Sequence, residues 1–381
     1  MVGVGGSQSW NGSSQRLELS PLTRAIRFAL SNIPDDSLPR LFQSADVWAP
    51  TISIAMENRI SNLLDRALRA HGVQPPPEWQ AQLDRYRAET FRINARNLAT
   101  AGEMTAALQA AGVEVVVFKG PSQQQQLYGD PFMKPATDVD LLVPSRQYEK
   151  ALKVLERTHR LDPDCATPWW RIFLGEQALR SPDGRMMSVD LHYRLQQPGC
   201  PSPKDIEGFL DRRETITVGA IKLPVLSAPD ACLLTCLNVV KALVHREACG
   251  RYLVDLVAGV TALDDAQLNE LMAVARREGL AATVALSLQA AEAAFGFADP
   301  RLQGLSDTSH FASMDLTGMS LLPAAADTIW TKRRDILWAL CGHRPAVFAR
   351  EAAWAFASEM CRQVSQVTRG PQERAPEVRR A

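Results

Sequence analysis

The chain has 381 residues, which is long for one domain and suits two or three. Its 42 basic and 42 acidic side chains cancel to a formal net charge of zero. That balance argues against charge-driven binding of bulk nucleic acid. A hydrophobic fraction of 46% and a charged fraction of 22% are those of an ordinary soluble globular protein. No apolar run approaches the roughly 18–20 residues of a membrane span, so no membrane partner is expected.

The first 15 residues are rich in Gly and Ser and lack a basic segment followed by an apolar one. They are therefore expected to be a flexible N-terminus rather than a secretion signal. The seven cysteines are scattered and odd in number, which favours free thiols in a reducing cytoplasm.

Residues 16–111 are predicted to be an N-terminal helical region, because apolar residues recur there at helical spacing. His71-Gly72 and the three prolines at 75–77 mark a break within it.

The pattern then changes to that of a small α/β core over residues 112–226. Its expected elements are a buried strand at 113–118, a short helix at 121–128, a strand at 138–143, a hairpin turning at Pro182-Asp183-Gly184 and a smaller hairpin at 215–226. Residues 227–365 are predicted to form a C-terminal helical domain, and 366–381 a disordered tail.

Two carboxylates begin the strand at 138–143. Side chains alternate across a strand, so Asp138 and Asp140 share a face about 7 Å apart, while the apolar residues between them face a core. In the hairpin, Asp190 occupies the polar face of another strand with the same alternation. Three acids converging at a sheet edge would repel one another unless a cation lay among them. Oxygen ligands select a hard ion, usually Mg²⁺ where a phosphate completes its shell.

These residues resemble the nucleotidyltransferase superfamily typified by DNA polymerase β, and more closely an uncharacterised bacterial nucleotidyltransferase family known as family 5. The matching segments are Phe118-Lys119-Gly120, Tyr128-Gly129-Asp130-Pro131, Lys134, Asp138-Val139-Asp140-Leu141-Leu142-Val143 and Val189-Asp190-Leu191-His192-Tyr193. The resemblance covers about 112–195 and extends loosely to 255. It implies an α+β fold in which a small polymerase β-like mixed sheet is flanked by N-terminal and C-terminal helical regions.

The resemblance also implies a reaction. Asp138, Asp140 and Asp190 would be catalytic and would bind two Mg²⁺ ions, with Mn²⁺ as a substitute. A nucleoside triphosphate, with ATP favoured, would transfer its monophosphate to an acceptor hydroxyl and release pyrophosphate. The nucleotide's phosphates would be bound by Lys119, Gly120, Ser122 and Lys134.

This chain departs from the family pattern at two positions. Lys134 replaces the usual arginine, which keeps the charge but loses the bidentate fork. Pro121 follows Gly120 in the glycine turn and removes one backbone donor from it.

The acceptor is less well specified by the sequence. His192 shares the face of Asp190 and either orients an acceptor or is simply hydrogen-bonded. Lys241 and His245, four residues apart on a predicted helix, either line an acceptor pocket or lie in the interior. Arg251 and Asp255, with the same spacing, are expected to form a structural ion pair.

Three functions remain open at this point. The first is a nucleotidyltransferase acting on a small molecule or a peptide or protein hydroxyl. The second is a non-catalytic nucleotide-binding or interaction protein on the same fold, and the third is a nucleotidyltransferase toxin that modifies tRNA. Metal-dependent pyrophosphate release separates the first from the second, and growth arrest that depends on Asp138 identifies the third.

Overall fold

A computed structural model describes residues 12–31, 35–302 and 311–368. Most of the expected flexible N-terminus and disordered tail, residues 1–11 and 369–381, lie outside the described residues. The first helix begins at Gly12, four residues before the helical region expected from 16 onward.

The fold is α+β, as predicted. The helices are α1 Gly12–Ser31, α2 Leu38–Leu41, α3 Trp48–Glu57, α4 Ser61–Ala70, α5 Pro77–Ala110, α6 Pro121–Tyr128, α7 Tyr148–Leu155, α8 Ile206–Asp211, α9 Ala228–His245, α10 Gly250–Ala262, α11 Asp265–Glu278, α12 Ala281–Phe295, α13 Leu316–Leu321, α14 Arg333–Leu340 and α15 Pro345–Thr368. The strands are β1 Val116–Val117, β2 Asp138–Leu142, β3 Arg160–Leu161, β4 Glu176–Arg180, β5 Ser188–His192, β6 Glu214–Val218 and β7 Ile221–Val225.

The seven strands form one mixed sheet in the order β3-β4-β5-β2-β1-β7-β6. The pairs β2–β5 and β1–β7 are parallel, and the other pairs are antiparallel. Both predicted hairpins are present, as β4–β5 and β6–β7. The first strand has only two paired residues, fewer than the run at 113–118 suggested.

One face of the sheet packs on α5 and α7. Val139 and Leu141 of β2 are buried there against Leu98 and Met104 of α5 and Leu155 of α7. This is the core face that the alternation in the sequence predicted. The opposite face carries Asp138 and Asp140. Beyond them, at Leu142, this face packs in a cluster with residues of α9 and α11.

The flanking helices share a third core. Leu22 of α1 and Leu64 of α4 belong to the same buried cluster as Val254 of α10 and Leu286 of α12. The N-terminal and C-terminal helical regions are therefore packed against each other around the sheet.

One helix of the described residues, α9, is long and apolar enough by composition to cross a membrane. Its mean hydropathy is 1.2 over 18 residues, but 83% of that segment is buried inside the protein. The expectation that no apolar run approaches the length of a span was therefore wrong for this helix. Its burial in the core explains its composition without a membrane.

Candidate active site

The predicted carboxylates lie on two neighbouring parallel strands. Asp140 of β2 lies opposite Asp190 of β5, and two residues further along each strand Leu142 lies opposite His192. Alternate residues of a strand share a face, so Asp138, Asp140, Asp190 and His192 project to the same side of the sheet.

Asp140 is the centre of this group and is 8% exposed. The Nζ of Lys119 donates a hydrogen bond to its Oδ1 at 3.0 Å, and the Nε2 of His192 lies 3.1 Å from the same oxygen. Burial alone would raise the pKa of Asp140, but the positive charge of Lys119 and the hydrogen bond with His192 hold it well below its usual range. Asp140 is therefore ionised and held in place by two partners.

Asp138 and Asp190 have excess negative charge around them. Burial and the charge of Asp140 raise the pKa of Asp138. Burial and the charges of Asp138, Asp140 and Glu176 raise the pKa of Asp190 well above its ordinary value. Because the charge at this edge is not fully compensated by the protein, a cation would stabilise it.

A fourth acid belongs to the same group. Glu176 of β4 lies opposite His192 in the sheet, and its Oε2 is 3.8 Å from the Nδ1 of that histidine. The sequence analysis missed Glu176. The pairing of the two hairpin strands across the Pro182-Asp183-Gly184 turn was the signal that would have indicated it.

The donor set suits a divalent cation. Asp140, Asp190 and His192 can each offer one ligand atom, and these atoms all lie within 4.8 Å of one another. Oxygen donors with one imidazole nitrogen accommodate several divalent metals. His192, considered from the sequence as a residue that orients the acceptor, thus joins the candidate ligands. Asp138 lies on the same face of the sheet, but it is not one of the three residues whose ligand atoms lie within 4.8 Å of one another.

The turn from β1 to α6 carries the predicted phosphate-binding residues. Gly120 has a φ of +74°, a conformation that a residue with a side chain adopts only with strain, so glycine suits this position. Pro121 is the first residue of α6. The Oγ of Ser122 donates to the carbonyl oxygen of Lys119 at 3.0 Å, so this hydroxyl stabilises the turn itself.

Lys134 is buried and already has an acidic partner. Its ammonium group pairs with Asp255 of α10 and donates to the carbonyl oxygen of Arg251 at 2.7 Å. The hydroxyl of Tyr128 donates to Asp255 at 2.7 Å. The expected ion pair between Arg251 and Asp255 was therefore wrong, because the acid is engaged by Lys134 and Tyr128.

Lys241 and His245 of α9 make no contact with the sheet carboxylates in the described part of the chain. Burial and the positive charge of Lys241 lower the pKa of His245. Its Nε2 is buried and has no hydrogen-bond partner among the described residues. The structure thus brings His192 to the carboxylates and leaves the other two candidate acceptor residues apart from them.

Polar side chains of α5 fix the strands that carry the carboxylates. The Nδ2 of Asn94 donates to the carbonyl oxygens of Pro131 and Lys134 at 2.6 and 2.8 Å. Asn97 donates to the carbonyl oxygen of Asp138, and the hydroxyl of Thr100 accepts from the amide of Met187 at 3.0 Å. The sequence analysis missed these residues, since a polar stripe on a helix looks like a solvated face.

Two solved structures resemble parts of the chain. The antibiotic-resistance factor ANT(2'')-Ia is 11% identical, with a TM-score of 0.33, and the match covers 48% of this chain and 93% of that one. An antigenic nucleotidyltransferase-like protein from Paracoccidioides brasiliensis is 15% identical, with a TM-score of 0.30 and coverage of 50% and 92%. No functionally curated protein matches the chain.

The sequence model of one family matches most of the chain. That family is described as uncharacterised nucleotidyltransferases, and the match runs over residues 44–296. The matched segment contains the whole sheet, the carboxylates and the helices from α3 to α12. The chain therefore belongs to this family of nucleotidyltransferases.

Proposed function

We propose that the protein is a Mg²⁺-dependent nucleotidyltransferase of the cytoplasm. It transfers the monophosphate of a nucleoside triphosphate, ATP in the first instance, to a hydroxyl of a small molecule or a peptide. The observation that carries the proposal is the placing of Asp140 opposite Asp190 on parallel strands, with Asp138 on the same face. The seven cysteines are all free, which supports a reducing compartment.

Asp138, Asp140 and Asp190, with His192, are the residues that would hold the metal. Divalent ions held by these residues would supply charge stabilisation for the attacking and leaving oxygens. The acceptor oxygen forms a bond to the α-phosphorus, and the bond from that phosphorus to the β-phosphate oxygen breaks. Asp190 would take the proton of the acceptor hydroxyl as a general base. Lys119 keeps Asp140 ionised and in position.

Calorimetric titration tests this proposal without knowledge of the acceptor. ATP, GTP, CTP and UTP are each titrated into the protein with and without Mg²⁺, and again into the double variant Asp138→Asn/Asp140→Asn. We expect Mg²⁺-dependent binding of at least one triphosphate by the wild type and its loss in the double variant. Asp327→Asn, which removes one exposed carboxylate of the C-terminal helical part, is the control.

Two results would contradict the proposal. Binding of no triphosphate at all would favour the non-catalytic interaction protein. Metal-independent binding that survives in the double variant would favour a nucleotide-binding protein without transfer chemistry.

A further inference from the structure

Two arginines and two tyrosines of the helical parts of the chain form a cluster around Arg59, which interacts electrostatically with the other three and with Asp138. Arg59 is in the turn between α3 and α4, Tyr86 is on α5, and Arg251 and Tyr252 begin α10. The sequence analysis assigned none of them to the site. They come from three elements that are far apart in the chain.

The backbone holds the two arginines near each other. The buried side chain of Asn58 accepts a hydrogen bond from the amide of Gly250 at 2.9 Å, and it donates to the carbonyl oxygens of Ile54 and Leu321 at 3.0 Å. Asn58 and Gly250 immediately precede Arg59 and Arg251. Arg59 has a φ of +56°, a conformation that a non-glycine residue adopts at a cost.

Two buried polar groups of this cluster lack a hydrogen bond to any described residue. The Nε of Arg251 and the hydroxyl of Tyr86 are buried and make no hydrogen bond within the described part of the chain. Buried polar groups are almost always hydrogen-bonded, and each exception calls for an explanation. The guanidinium carbon of Arg251 lies 4.6 Å from the centroid of the Tyr252 ring, which fixes its plane. A bound ligand with acceptor oxygens would satisfy both groups.

The charges in the cluster act on one another and on the metal-binding carboxylates. Burial raises the pKa of the Tyr86 hydroxyl, and Arg59 and Arg251 act against that increase. Burial and the positive charge of Arg251 lower the pKa of Arg59, while Asp138 acts in the opposite direction. The two like charges therefore lie close together and within reach of Asp138, an arrangement that an anion would stabilise.

The lysines near the site are already neutralised. Lys119 pairs with Asp140, and Lys134 pairs with Asp255. A nucleoside triphosphate carries several negative charges beyond those a metal ion offsets, so it needs more cationic groups than these two lysines. Arginine supplies positive charge as a planar fork that matches phosphate oxygens.

We propose that Arg59 and Arg251, together with the hydroxyl of Tyr86, bind the terminal phosphates of the donor triphosphate. This inference rests on the proposed function and adds the part of the site that the motifs do not contain. The sheet would hold the metal and the reacting phosphate, and the N-terminal and C-terminal helical regions would jointly hold the leaving pyrophosphate.

The test measures binding of three probes in the presence of Mg²⁺: ATP, AMP and inorganic tripolyphosphate. The variants are Arg59→Gln, Arg251→Gln and Tyr86→Phe, with Arg66→Gln and Arg276→Gln as controls that remove an exposed positive charge from a helix. We expect each arginine variant to weaken ATP and tripolyphosphate binding about tenfold or more, the effect of one lost charge-assisted contact. AMP binding should not change, and the controls should bind as the wild type does.

Tyr86→Phe keeps the test decisive if an arginine variant fails to fold. Its hydroxyl makes no hydrogen bond with any described residue, so thermal unfolding should be unchanged while tripolyphosphate binding weakens. If the wild type binds ATP and all three variants bind it equally well, the inference is overturned while the proposed function stands. The cluster would then be available for an anionic group of the acceptor. If the wild type binds no triphosphate, the proposed function fails and this inference fails with it.

Discussion

The side-chain oxygen of Asn58 accepts a hydrogen bond from the backbone amide of Gly250 at 2.9 Å, across 192 residues of sequence. This contact joins the turn after α3 to the first residue of α10. We expect Asn58→Ala to lower the free energy of unfolding by about 2–4 kcal/mol, because it leaves buried backbone groups without partners. Urea denaturation measures the change. Asn269→Ala, at an exposed position of α11, should change it by less than about 0.5 kcal/mol. An equal loss in both variants would contradict the role given to Asn58.

Gly250 donates the hydrogen bond that Asn58 accepts. A Cβ at this position would lie 2.5 Å from the Oδ1 of Asn58, so Gly250→Ala should destabilise the protein by about 1–3 kcal/mol through overpacking. The double variant Asn58→Ala/Gly250→Ala removes Oδ1 and Cγ of residue 58, two of the three clashing atoms, and leaves its Cβ at 2.9 Å. Its loss of stability should therefore be smaller than the sum of the two single losses. Additive losses would show that the two residues act independently.

Variants of the buried pair of Lys134 and Asp255 distinguish a structural role of Lys134 from a phosphate-binding role. Lys134→Met should cost about 3–5 kcal/mol, because it leaves a buried carboxylate without its cation. The double variant Lys134→Met/Asp255→Asn should recover much of that stability. We expect the double variant to bind Mg²⁺ and ATP as the wild type does. A folded double variant that no longer binds ATP would support the phosphate contact predicted for Lys134 from the sequence.

His192 is expected to tune the metal site through Asp140. His192→Gln removes the imidazole 3.1 Å from the carboxylate, and metal affinity should fall about 10–100-fold, as is usual when a ligand or its hydrogen-bonding partner is lost. Mn²⁺ binding followed by electron paramagnetic resonance measures this directly. Unchanged Mn²⁺ affinity in a stably folded variant would limit His192 to a role with the acceptor.

Local patterns were sufficient to predict the elements that carry the carboxylates. Helix α6 occupies the predicted residues, and the strand with Asp138 and Asp140 places its apolar residues on the core face as expected. Strand alternation and glycine–proline boundaries are properties of neighbouring residues, so a single sequence contains them.

Contacts between distant segments could not be predicted in this way. The role of Asn94 could be recognised only once α5 was placed beside the segment before β2. The ion pair expected between Arg251 and Asp255 follows from helical spacing, but a lysine from another segment takes the acid. Side-chain partners depend on tertiary packing, which the spacing of residues in one helix does not specify.

The core shared by the two helical regions has a consequence for synthesis on the ribosome. Leu22 of α1 packs in the same cluster as Leu286 of α12, more than 250 residues later in the chain. At about 5–20 residues per second, α12 is made roughly 10–50 s after α1. During that interval the apolar face of α1 lacks part of its packing surface. We expect the nascent N-terminal segment to require chaperone protection, and premature termination before α12 to yield insoluble product.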